Sequence, residues 1–186
     1  VNSEIQYLEN FLPLNYQNAI ENLVTSEGFP YFFVDNIAYD SDDQNAIYKN
    51  LNQYGFFHTV YFNGKENSIF FKDLLPITYF LESNTNLQIK NILRIRIGMQ
   101  VKVSNENITH SPHIDFYFPH KVLLYYVHDT DGDTIFYDKF NNEYKEIYRV
   151  TPKKGSAVVF DGSIYHASTT PNLHQRRIAI NINYEV

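Results

Sequence analysis

A mainly β fold with helices gathered near the N-terminus is what this sequence predicts, on three observations. From about residue 91 onward, short apolar runs alternate with turn signals, giving eight candidate strands. Helical periodicity is confined to the first ninety residues or so. No internal repeat or low-complexity linker divides the 186 residues, a length suited to a single domain. The expected architecture is an antiparallel β fold, closed or built of two sheets, over residues 91–186. Residues 1–90 then supply supporting helices and strands that cover one outer face.

The elements follow in order. Residues 14–26 place Leu14, Ala19, Ile20, Leu23 and Val24 on a 3.6-residue period, with Asn15 as a candidate cap and Gly28 beyond the end. Residues 29–37 are aromatic and β-branched, and Pro30 confines them to a strand start or an edge. Residues 56–62 read as a strand ending at Asn63-Gly64, a strong tight-turn dipeptide. Residues 70–81 read as a helix interrupted by Pro76. Strands are expected at 92–103, 112–117, 121–128, 134–138, 143–150, 155–160, 164–168 and 176–185. Asp131-Gly132 is expected to turn a hairpin, and Pro152 with Gly155 breaks the chain before the sixth of these strands.

Composition narrows the function classes. Hydrophobic residues make up 44% of the chain and charged residues 19%, which is a globular balance. With no cysteine there is no disulfide scaffold, zinc-thiolate site, iron–sulfur cluster or cysteine nucleophile. A net charge of −6 argues against non-specific binding to a nucleic-acid backbone, which relies on a Lys/Arg surface. No stretch approaches a membrane span and no signal peptide opens the chain, so a cytoplasmic location is expected.

The residues that carry chemistry are His113, Asp115 and His166. On an extended chain His113 and Asp115 project to the same face, and His166 follows near the start of the seventh expected strand. Two histidines and one carboxylate form the facial triad that binds non-haem Fe(II) with open positions, and a donor set without thiolate suits iron better than a structural zinc. By itself His-x-Asp is common by chance, and a solvated turn pair is the bland alternative. Placement adds weight, because all three residues and a basic residue fall at strand openings. His110 is the rival to His113, but parity with Asp115 favours His113. His58, His120, His128 and His174 are expected to be surface or structural. Residues 129–133 lack the glycine position and the terminal glutamate of a calcium loop.

At these residues the chain resembles the 2-oxoglutarate/Fe(II)-dependent dioxygenases, in particular the prolyl-4-hydroxylase-like branch with its small single-domain members of phage type. The resemblance rests on Pro112-His113-Ile114-Asp115-Phe116, then Leu124-Tyr125-Tyr126 ahead of Asp131-Gly132-Asp133-Thr134. It continues with Pro152-Lys153-Lys154-Gly155-Ser156 leading into Val158-Val159-Phe160, then His166-Ala167, and Arg177-Ile178-Ala179-Ile180-Asn181. It spans residues 91–186 and keeps the family's order. It implies a double-stranded β-helix (jelly-roll) core, with Fe(II), 2-oxoglutarate and O2 as cofactors and ascorbate as an auxiliary reductant. It further implies hydroxylation of an unactivated C–H bond of a prolyl residue, a peptide or a small molecule as substrate partner, with release of succinate and CO2. By the same resemblance His113, Asp115 and His166 match the iron ligands, and Arg177 matches the residue that holds the distal carboxylate of 2-oxoglutarate. Tyr126 matches a tyrosine that contacts the same cosubstrate. Val103 departs from the pattern, since relatives carry a cosubstrate-contacting tyrosine there.

Strand alternation sorts the remaining polar residues. Arg94, Arg96, Gly98, Gln100 and Lys102 share one face, and Ile95, Ile97, Met99, Val101 and Val103 share the other. With helices over the apolar face, the polar face lines the cavity, and Arg96, with Arg94, would orient an anionic or carbonyl group of the substrate. The opposite assignment, a solvated polar face, is the alternative. Of the adjacent Arg176 and Arg177 only one can face inward. Arg177 shares its face with Ala179, Asn181 and Asn183, and Arg176 shares the other with Ile178, Ile180 and Ile182. Two further function classes stand beside the hydroxylase: the same iron centre performing desaturation, cyclisation or demethylation, and a non-catalytic jelly-roll binding module.

Overall fold

The computed structural model describes residues 5–38, 53–141 and 143–186. Eleven strands and three helices follow one another along the described chain. Strand β1 (Ile5–Leu8) precedes helix α1 (Leu14–Val24), edge strand β2 (Phe32–Val34), strand β3 (Gly55–Phe62) and the two-residue β4 (Lys65–Glu66). Helices α2 (Phe71–Leu74) and α3 (Pro76–Thr85) follow. The rest is strand: β5 (Asn91–Val101), β6 (Lys121–Tyr126), β7 (Thr134–Phe140), β8 (Glu143–Val150), β9 (Ala157–Asp161), β10 (Tyr165–Ser168) and β11 (Arg176–Glu185).

Local chemistry accounts for the boundaries. Pro76 occupies the first turn of α3, where its missing N–H costs nothing, so it splits the expected helix into α2 and α3. Asn63 and Gly64 take φ of 49° and 79°, the two left-handed values that the tight turn between β3 and β4 requires. The aromatic run around Phe32 and Phe33 shrinks to a three-residue edge strand, as Pro30 demands. Asn15 does not cap α1; Pro13 stands at the cap position and no side chain bonds there.

All strand pairs are antiparallel. The larger sheet runs β1-β9-β6-β11-β5-β3-β2, with β4 hanging from β3, and the smaller runs β10-β7-β8. One face of the larger sheet carries Ile95, Ile97, Leu123, Tyr125, Ile178, Ile180 and Ile182, which pack under Ile20 and Val24 of α1 and Leu74, Ile77 and Leu81 of α2 and α3. The other face carries Val122, Leu124, Tyr126, Val158 and Ala179, which meet Phe136 and Val150 of the smaller sheet. The fold is a two-sheet jelly roll with helices on one outer face.

Two expectations are corrected here. Asp131-Gly132 does not turn a hairpin, because β6 lies between β9 and β11 while β7 lies in the other sheet. The segment crosses between the sheets instead. Asp131 fastens it there by accepting hydrogen bonds from the backbone N–H groups of Asn172, Leu173 and His174. These bonds, together with burial that alone would act the other way, leave its carboxyl far below the usual range. Residues 112–117 do not form a strand either. Only His113 pairs, in an isolated bridge to His166, and Pro112, which has no N–H, stands beside it.

Candidate metal centre

That single bridge builds the centre. His113 N–H donates to the His166 carbonyl and His166 N–H donates back, both at 3.0 Å, which sets the two imidazoles side by side with centroids 4.7 Å apart. Asp115, two residues on, completes a group whose ligating atoms all lie within 4.8 Å of one another. His110 lies outside this cluster, fully buried, with Nδ1 bonded to the Ser168 carbonyl and hydroxyl.

The imidazoles are held in a metal-competent tautomer. Nδ1 of His113 lies 3.1 Å from the Ser111 carbonyl, and Nδ1 of His166 lies 3.2 Å from the Ile164 carbonyl. A carbonyl only accepts, so each Nδ1 carries the proton and each Nε2 keeps its lone pair. Burial lowers the pKa of His113, and burial with His113 nearby takes His166 down to about 4. Burial alone would raise the Asp115 carboxyl, but Arg94 and the two imidazoles outweigh it and hold the group well below the carboxylate range. At neutral pH the site therefore offers two neutral imidazoles and one carboxylate, the protonation states a divalent metal needs.

A polar collar orients the carboxylate. Arg94 Nη2 donates to Asp115 Oδ1 at 2.5 Å, while Asn181 and Asn183 donate to Oδ2 at 3.0 and 2.8 Å. Arg94 Nε donates in turn to Asn183 Oδ1 at 2.9 Å, closing the ring of contacts. Such outer partners fix ligand geometry. Arg94 thus borders the outer recess of the cavity with its charge met by Asp115.

The triad opens into a cavity with an inner chamber of about 60 Å³ and an outer recess of about 320 Å³. Arg177 lines the inner chamber with Thr134, Gln100 and His166. Its guanidinium donates to the Gly132 carbonyl, Gln100 Oε1 and Thr134 Oγ1 at 2.8, 2.9 and 2.8 Å. All three acceptors are uncharged. Arg176 is exposed on the opposite face. Tyr126 is fully buried beside Arg177, with its ring 5.9 Å from the guanidinium carbon and its hydroxyl donating to Thr134. Tyr125 points into the helix-covered core. Arg96 borders both chamber and recess.

Sequence reasoning turned the polar faces of β5 and β11 toward the cavity but did not supply the contacts of Thr134 or the Gly132 carbonyl. Those come from other strands and loops, and although Gly132 and Thr134 lie in a motif of the resemblance, nothing local shows that they meet Arg177. Of the other histidines, His58 bonds Ser68 among Phe29, Phe32 and Phe70, and the exposed His174 bonds Asp131.

No family profile and no curated protein sequence matches the chain. Solved structures do. An oxidoreductase of the 2OG-Fe(II) oxygenase family from Burkholderia pseudomallei superposes with a TM-score of 0.69 at 11% identity, covering 99% of this chain and 86% of its own. A Trichoplax adhaerens prolyl hydroxylase, solved with a hypoxia inducible factor peptide, gives 0.60 at 15% identity over 98% and 84%. The non-haem α-ketoglutarate-dependent epimerase SnoN of nogalamycin biosynthesis gives 0.62 at 10% identity over 97% and 78%. The chain has the fold that these oxygenases share, across nearly its full length.

Proposed function

We propose that the protein is an Fe(II)- and 2-oxoglutarate-dependent dioxygenase that hydroxylates an unactivated C–H bond of a small molecule or peptide. One observation carries this reading. A His-Asp-His triad and a buried arginine without a carboxylate partner line the same chamber, within a fold shared with known oxygenases.

In this reading His113, Asp115 and His166 hold the iron, and Arg177 holds the distal carboxylate of 2-oxoglutarate. When bound, iron and cosubstrate supply the oxidant by consuming O2 and converting 2-oxoglutarate to succinate and CO2, chemistry that no side chain can provide. The protein's own residues prepare the site. Arg94, Asn181 and Asn183 keep Asp115 ionised and aimed. The Ser111 and Ile164 carbonyls fix the imidazole tautomers. A guanidinium can grip a carboxylate with two parallel charge-assisted bonds, and Gln100, Thr134 and Gly132 hold Arg177 in place for that. Tyr126 supports it through the shared Thr134 hydroxyl. Leu124, Ala167 and Ala179 give the chamber apolar walls that limit water. The complete constellation argues against a non-catalytic binding module.

The test is metal titration together with succinate formation from 2-oxoglutarate in the presence of Fe(II) and ascorbate. The protein should bind one Fe(II) and form succinate slowly without a prime substrate. His166→Ala and Asp115→Ala should weaken metal binding by more than about 100-fold, beyond what loss of an outer partner costs, and abolish turnover. Unchanged iron affinity in both variants would sink the assignment.

A further inference from the structure

The charges around the cavity do not balance. Among the described residues lining chamber and recess, Asp115 is the lone carboxylate, against the three guanidinium groups of Arg94, Arg96 and Arg177. This local excess sits in a chain of net charge −6. Arg94 is neutralised by Asp115. Arg177 would be neutralised by the cosubstrate under the function proposed above, on which this inference rests. Arg96 has no hydrogen bond or ion pair among the described residues, and its Nε is sealed from solvent without an acceptor. Burial and the like charge of Arg94 both disfavour its charged form. A guanidinium stays charged in proteins, so the site carries an unmet demand for an anion.

The structure holds this cation in a built setting. The Arg96 guanidinium lies over the Phe57 ring, 4.0 Å from its centroid. Phe57 faces Gly98 across the β3–β5 pairing, and a Cβ at Gly98 would stand 2.7 Å from the ring. Gly98 thus admits the ring, and the ring supports the guanidinium by its face. Face stacking leaves the N–H edge free for an acceptor in the guanidinium plane, the geometry that a carboxylate matches. Arg96 also stands apart from the cosubstrate anchor. Arg177 pairs across the sheet with Gln100, four residues along β5 from Arg96, or roughly 13 Å at the usual strand rise. Arg96 borders the recess as well as the chamber, and the recess volume of about 320 Å³ is at the low end for small-molecule pockets.

We propose that Arg96, stacked on Phe57, anchors a carboxylate of the oxidised substrate, so that the substrate class is small organic acids rather than neutral prolyl residues within a polypeptide. The anchored acid then presents a neighbouring carbon to the triad. A bidentate grip fixes that carbon's orientation in a way that one apolar contact could not.

The experiment first loads the protein with Mn(II) and N-oxalylglycine, a cosubstrate analogue that is not turned over, and so occupies the triad and Arg177. Thermal midpoints are then read with acetate, propionate, benzoate and L-proline, each against its neutral amide, with inorganic phosphate as a further arm. Carboxylates should raise the midpoint of the loaded protein and their amides should not. Arg96→Gln should weaken the best carboxylate by about 10- to 100-fold, the scale of charge-assisted bonds, and Arg96→Lys should recover part of the loss. N-oxalylglycine binding by each variant serves as the folding control. The proposal is overturned if amides act like acids, if phosphate alone stabilises, if no carboxylate does, or if Arg96→Gln keeps the carboxylate response. It is equally overturned if Arg96→Gln loses N-oxalylglycine instead, for then Arg96 serves the cosubstrate. Failure of the wild-type protein to take up Mn(II) and N-oxalylglycine at the outset would strike the dioxygenase reading itself.

Discussion

The two faces of β5 and β11 are made by the same backbone, yet they have opposite fates. On one face Ile95, Ile97, Ile178, Ile180 and Ile182 lie at most 1% exposed beneath the helices. On the other, Arg94, Arg96, Gln100, Arg177 and Asn181 surround the candidate metal centre and the cavity. A strand alternates faces at every residue, so a single step along the chain separates the group that stabilises the fold from the group that serves the site. The arrangement is safe only if register is fixed, since a one-residue slip would exchange the faces. Strand β11 is pinned on both sides, by β5 and by β6, and its apolar face is committed to the helices. The helices of the first half thereby act on the chemistry at a distance, by deciding which face of the sheet is inward.

If the faces are separable, a change on the apolar side should cost stability without touching ligand binding. Ile180 is fully buried at the middle of β11. Ile180→Ala should lower unfolding free energy by about 2–5 kcal/mol, combining the lost burial and the cavity left behind. Chemical denaturation measures it, and 2-oxoglutarate affinity at low temperature should match the wild type. A parallel drop in affinity would mean that the helix-side packing sets the cavity geometry and that the two faces are coupled.

The adjacent arginines test the polar face. Arg177 is 4% exposed and lines the chamber, while Arg176 is exposed. Under the proposed function, Arg177→Ala should weaken 2-oxoglutarate by about 1.5–3 kcal/mol, the scale of a hydrogen bond to a charged group. Arg176→Ala should change it little. Calorimetric titration of 2-oxoglutarate into both variants decides between them, and a larger loss in Arg176→Ala would reverse the assignment of faces.

How far the sequence could be read follows from the same geometry. Alternation in β5 and β11 is a local, two-residue signal, so it sorted Ile97 from Arg96 and Arg176 from Arg177 correctly by face. The spacing of His113 and Asp115 was legible as a pair sharing a face, although the strand expected to display them is a single bridge. What failed were local readings that partners elsewhere in the chain override. Asp131-Gly132 carries a hairpin's local signature, but the flanking strands have better partners elsewhere, and the aspartate is drawn instead to the backbone at 172–174. Arg94 borders the recess as its face predicts, but its ion pair with Asp115, distant in sequence, has no local signal. Strand β1 was missed because four residues are too few for a periodic signal, and its pairing with β9 comes from the opposite end of the chain.

The smallest effects should come from Tyr125 and Tyr126, which repeat the contrast between faces with identical side chains. Both are fully buried, but Tyr126 enters the inner layer and Tyr125 the helix-covered core. The Tyr126 hydroxyl donates to Thr134 Oγ1, an oxygen that also accepts from Arg177 Nη2. The Tyr125 hydroxyl is buried with no partner among the described residues. Removing a bonded hydroxyl forfeits about 1 kcal/mol, whereas removing an unpaired one relieves the cost of having desolvated it. Tyr126→Phe should therefore destabilise by about 1 kcal/mol, and because Thr134 loses one of its two donors, it should also loosen 2-oxoglutarate by a few-fold through Arg177. Tyr125→Phe should be neutral or slightly stabilising and leave 2-oxoglutarate affinity unchanged. Paired denaturation and calorimetric titrations read both. Equal destabilisation by the two changes would show that the hydroxyls have equivalent surroundings, and that facing the cavity adds nothing to the role of Tyr126.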